Sequence, residues 1–166
     1  MTKFVRLAAL AAAATIAVPA VAAPTPVSNG PVTATARIIK PLTLTKVGDM
    51  DFGTIVVQDT GTVTMDTAGA VTCTANLTCS GTTTAASYHV TGTNNQTVQI
   101  TKPGVTLTNT DSSGTTLSLT LTGPTSVLLP SSGASGADFS LGGTIAVAAS
   151  QREGTYVGDL AVTVDY

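Results

Sequence analysis

Threonine fills 33 of the 166 positions, and it alternates with apolar residues. Leu117, Leu119 and Leu121 are interleaved with Thr116, Ser118, Thr120 and Thr122. Near the carboxyl end Tyr156, Leu160, Val162, Val164 and Tyr166 share one register with Gly158, while Asp159, Thr163 and Asp165 occupy the other. A period of two sends successive side chains to opposite faces of an extended backbone. Threonine, branched at Cβ, loses side-chain freedom in a helix and sits well on a pleated, half-wet surface. A chain patterned this way is confined to β-structure with one face on a core and the other in water.

Further strands follow at short intervals. Val32, Ala34, Ala36 and Ile38 alternate with Thr33, Thr35, Arg37 and Ile39, and Lys40-Pro41 ends the run. Leu42 to Thr45 is a second short run, and Gly48-Asp49 turns the chain into Met50 to Val57. Val63 and Met65 alternate with threonines, Ala70 to Thr74 follows, and Ala85 to Thr101 reads as a hairpin turning at Thr93-Asn94-Asn95. Gly142-Gly143 opens the apolar run Thr144 to Ala149, and Tyr156 to Tyr166 reads as one terminal strand. Many short strands with regular turn signals predict an all-β fold, an immunoglobulin-like antiparallel β-sandwich, with a closed barrel as the alternative.

The first residues set the compartment. Lys3 and Arg6 precede the apolar run Leu7 to Val18, and Ala20-Val21-Ala22 supplies small residues at a cleavage site. Residues 1–22 are therefore expected to be a signal peptide, residues 23–31, rich in Pro and Gly, a flexible leader, and residues 32–166 one domain. The apolar run is too short and too broken by Pro19 for stable membrane insertion. Export to the periplasm and then the cell surface is the expected localisation. Removing Lys3 and Arg6 from the seven basic residues leaves five against nine acidic ones, a net charge of −4, so no nucleic-acid partner is expected. In an oxidising compartment Cys73 and Cys79 are expected to pair, pinning a local turn.

Little in the chain points to catalysis. A hydrolase needs a nucleophile, a base and a group to orient the base, yet His89 is the single histidine and shares an exposed register with Ser87 and Thr91. Asp49 and Asp51 read as turn residues, since no further oxygen ligands follow at calcium-loop spacing. No metal site, cofactor or catalytic residue is expected. The residue types point to a structural or interaction protein.

Three pieces resemble a known group. Met50-Asp51-Phe52-Gly53-Thr54, the terminal stretch Gly154 to Tyr166 and the leading strand Val32 to Ile38 resemble archaic chaperone-usher pilus subunits with a spore coat protein U domain. They resemble more closely the related bacterial family called domain of unknown function 4402. The resemblance implies an incomplete sandwich whose groove is filled first by a periplasmic chaperone and then, at an outer-membrane usher, by the extension of another subunit. The partners implied are copies of the chain or related subunits. The donor strand would be Val32, Ala34, Ala36 and Ile38, and the groove wall Tyr156, Leu160, Val162, Val164 and Tyr166. Adhesion or biofilm formation would be the outcome for the cell. The alternative is a complete sandwich in which residues 32–38 pair within their own chain, giving a monomeric extracellular binding module, for example for carbohydrate. Mass spectrometry of the exported protein is expected to find Ala23 at the amino terminus and, without reductant, a mass two hydrogens below the thiol form; a retained leader or free thiols would contradict these readings.

Overall fold

The computed structural model describes residues 30–112 and 114–166. The expected signal peptide and residues 23–29 of the expected leader lie outside the described residues. The chain divides between Ala36 and Arg37 into two units. In the first, residues 30–36 hold no strand and their side chains are exposed. The second, residues 37–166, holds every described strand.

All strand pairings are antiparallel. The largest sheet runs in the order β1 (Thr43–Gly48), β6 (Ala86–Thr91), β11 (Ala137–Val147), β9 (Thr116–Thr122), β8 (Val105–Asn109) and β12 (Tyr156–Val157). β3 (Gly61–Met65) joins it on β11 and carries β4 (Val71–Cys73). A second sheet has the order β10 (Ser126–Leu128), β7 (Thr97–Thr101), β13 (Thr163–Asp165), and β2 (Thr54–Val57) pairs with β5 (Leu77–Ser80) in a two-stranded ribbon. Inward residues of all three sheets form one hydrophobic cluster that includes Val63, Leu77, Val90, Val98, Ile100 and Leu141. This is the predicted β-sandwich. The alternation of Leu117, Leu119 and Leu121 holds throughout β9, with the leucines buried and the polar residues outside.

β11 is the strand on which the sandwich turns. Ala137 to Leu141 pair with β6, while Gly142 to Ile145 pair with β9 and Gly143 to Val147 with β3. Gly142-Gly143 therefore lies in the middle of the longest strand and does not open one, as the sequence had led us to expect. The reason is close packing: a Cβ on Gly142 would run into the backbone of Met65 and Asp66, and one on Gly143 would lie 2.6 Å from the Leu119 side chain.

Four further expectations are revised. Residues 32–38 form no strand, since period-two alternation supplies a face but not a hydrogen-bonding neighbour. Ala85 to Thr101 is not a hairpin, because β6 and β7 belong to different sheets. The turn between them is drawn away from a tight reversal by its bonds to another loop: Asn94 Oδ1 accepts from Gly133 N at 2.6 Å, and Asn95 N donates to Pro130 O at 3.2 Å. Tyr156 to Tyr166 is not one strand but two, β12 on β8 and β13 on β7, with the chain crossing between sheets after Val157. The Met50–Val57 run begins its strand only at Thr54; before it Asp51 bridges Thr84, its carboxylate accepts from Gly53 N at 2.8 Å, and Phe52 is buried.

The Cys73–Cys79 disulfide is present, with a Cα–Cα separation of 6.3 Å. It joins β4 of the large sheet to β5 of the ribbon, so it ties two sheets together as well as closing a short loop. Tyr88 stacks on Phe139 with ring centroids 5.4 Å apart, and its burial raises the phenol above its ordinary value of 10.0.

Asn109 is the one buried polar residue among those described. Its Nδ2 donates to Glu153 O at 3.0 Å and its Oδ1 accepts from Asp111 N at 2.8 Å, which fastens the loop before β12 to the end of β8. Asn109→Ala leaves those backbone groups without partners and is expected to destabilise the fold by about 1–3 kcal/mol. Chemical denaturation measures this; an unchanged midpoint would mean that water replaces the side chain without cost.

Candidate functional site

Extended backbone carries hydrogen-bonding groups on both edges, and a strand paired on one side only leaves the other edge unpaired. Two such strands border one opening. β1 pairs with β6 and with no other described strand, and β13 pairs with β7 alone. Ile39 and Leu42, which precede β1, line a surface hollow of about 510 Å³ together with Val164 and Asp165 of β13 and the following Tyr166. Toward the other end of β1, the Lys46 ammonium is raised above its ordinary range by its hydrogen bond to Asp49, by the Asp49 charge and, more weakly, by Asp159. Leu42 thus lies beside Val164, and no described strand pairs with the outer edge of β1 or of β13.

The apolar faces on this gap are half covered. Leu160, Val162 and Val164 alternate inward and pack on the core, as do Leu42 and Leu44, yet all five stay partly exposed. Val98 and Ile100 on the neighbouring β7 are buried. The contrast has a simple cause: β7 has strands on both sides, and β13 has one.

The structure divides the residues picked out by sequence. Leu160, Val162 and Val164 come together on the margin. Tyr156 does not, because β12 belongs to the large sheet; its hydroxyl accepts from Gln151 Nε2 at 2.6 Å and donates to Arg152 O at 2.7 Å. Tyr166 acts as a strap. Its hydroxyl donates to Lys40 O at 2.7 Å and accepts from Thr93 N at 2.7 Å. Val32, Ala34 and Ala36 lie in the first unit, and Ile38, in the second, is 92% exposed.

Sequence reasoning missed Leu42 and Leu44 as the facing wall, although their spacing after Pro41 was visible. It also missed the strap, whose partners Lys40 and Thr93 are far from Tyr166 in sequence.

His89 lies elsewhere, on the outer face of β6. Its Nδ1 is 2.6 Å from Asp138 Oδ1 across the β6–β11 pair, and its Nε2 is turned toward Gly136. The Ser87 hydroxyl is turned toward Gly48 on the opposite neighbouring strand. Asp49 pairs with Lys46 at 2.8 Å, as a turn residue would. Among the described residues no cluster of His, Cys, Asp and Glu is placed to hold a metal ion, and no helix is long and apolar enough to cross a membrane.

These features define an antiparallel β-sandwich with an unpaired apolar margin between its sheets. Residues 42–166 match the family described as domain of unknown function DUF4402, and the chain belongs to that family. Comparison with curated proteins gives no match, and comparison with solved structures gives none.

Strands at unpaired margins open more readily than central ones. Amide hydrogen exchange is expected to be at least about tenfold faster in β13 than in the buried run of β9. Equal protection in a monodisperse monomer would show that the margin is covered.

Proposed function

We propose that the chain is an exported structural subunit of a bacterial surface assembly of fimbrial type, and that it polymerises by strand donation. In this reading residues 32–38 of one copy add to the margin between β1 and β13 of the next. The observation that carries it is the half-covered row Leu160, Val162 and Val164, which leads into β13 with its unpaired outer edge, in a chain that also bears an exposed segment with matching period-two alternation.

Seven residues at about 3.3 Å each span roughly 23 Å, enough to run the whole of the six-residue β1 and past the three residues of β13. Val32 and Ile38 would contribute about 1.5–3 kcal/mol each on full burial. Ala34 and Ala36 add little apolar area but let the incoming backbone approach closely. Backbone hydrogen bonds to the open edge supply the rest, as in other cases of β-strand addition.

An uncovered edge with apolar side chains is prone to aggregation, which gives a periplasmic chaperone a role before assembly and an outer-membrane usher a role during it. Adhesion or biofilm formation follows for the assembled fibre. The function requires neither catalysis nor a cofactor.

Size-exclusion chromatography with light scattering on the protein beginning at Ala23 and on one beginning at Pro41 tests the proposal. The longer protein is expected to form a ladder of oligomers. The shorter one is expected to remain soluble and to bind a synthetic Val32–Ile38 peptide. A folded monomer that merely unfolds on truncation would instead make residues 32–38 part of a self-complete binding module.

A further inference from the structure

Resting on the strand-donation reading, we propose that Tyr166 is a positioning residue: it clamps Arg37–Lys40 across the end of β13, so that the donor segment is delivered to a second copy of the chain and not to its own margin. Both backbone polar groups of Lys40 are held. Its N–H donates to Thr93 Oγ1 at 2.6 Å, and its carbonyl accepts from the Tyr166 hydroxyl at 2.7 Å. The same hydroxyl accepts from Thr93 N, which joins the carboxyl terminus, the turn after β6 and the segment before β1 at one point. Three residues earlier, the Arg37 guanidinium donates to Gln96 Oε1.

The direction of the clamped segment follows from these partners. β13 pairs with β7 through Gln99, Ile100 and Thr101, so β7 lies on the side of β13 opposite to its open edge. Gln96 immediately precedes β7. Going back from Leu42 at the opening, the chain passes Tyr166 and reaches Gln96 on the β7 side, crossing the end of β13.

A donor segment serving its own margin would have to turn back within Ile39-Lys40-Pro41 and run along β1. That reversal breaks the Arg37 and Lys40 bonds. Pro41 opposes it as well, since the residue before a proline is driven toward extended conformations and away from the helical ones that compact turns use.

The test uses the exported chain with Thr35→Cys and Thr163→Cys added, oxidised at fixed concentration and resolved without reductant into crosslinks within and between chains. Tyr166→Phe combined with Thr93→Val removes the hydroxyls of the clamp while keeping the ring, and Gln96→Ala releases its other end independently; melting curves confirm that each folds. Loss of these hydrogen bonds is expected to raise the ratio of intrachain to interchain crosslink roughly fivefold in the double variant and to shift it in the same direction in Gln96→Ala. The protein beginning at Pro41 is expected to bind the Val32–Ile38 peptide throughout. Retained peptide binding with an unchanged crosslink ratio overturns the clamp alone. Absence of peptide binding overturns strand donation, and the clamp with it.

Discussion

The pairing of β11 on both edges organises this molecule. Within eleven residues that strand hydrogen-bonds to β6, then to β9 and β3 together. Few side chains could sit where three strands converge so closely, and Gly142-Gly143 marks the place. Around this fully paired centre Val63, Met65, Leu141 and Ile145 are removed from water. The apolar area they bury supplies the dominant stabilisation of such a fold.

Saturation at the centre throws the far margin into relief. β1 and β13 end two different sheets, and the half-covered Leu44, Leu160, Val162 and Val164 keep apolar surface in contact with solvent. A self-sufficient domain commonly blunts such edges with charge, proline or a covering loop. Here Lys40 and Pro41 border the opening, beside Leu42, Val164 and Tyr166. The half-covered apolar row beyond them is the part suited to another strand in the proposed exchange. The Tyr166 strap gives the proposed exchange its direction, because it uses the hydrogen-bonding groups that a return toward the chain's own edge would need.

Much of the sandwich was legible in the residues. The leucines of β9, the inward Val98 and Ile100 of β7, and the row Leu160, Val162 and Val164 all follow the period-two rule, which depends only on the local pleat. The Cys73–Cys79 pairing was legible for the same reason, being close in sequence. The connections were not. Asn94-Asn95 resembles a hairpin turn until its bonds to Pro130 and Gly133 are seen, and these join residues more than thirty positions apart. Tyr156 and Val164 share a register, but the crossing after Val157 sends them to different sheets.

By itself the sequence determined that the chain is β-structured, which face of each strand is apolar, and that its two cysteines are near enough to join. These properties arise from side-chain branching, alternation and short separations, all of them local. Only the tertiary structure decided which strands pair, that β1 and β13 are each left with an open edge, and that Tyr166 reaches Lys40 across 126 positions of chain. A strand's two edges carry the same backbone groups whatever its side chains, so the choice of neighbour is made by the packing of the whole domain.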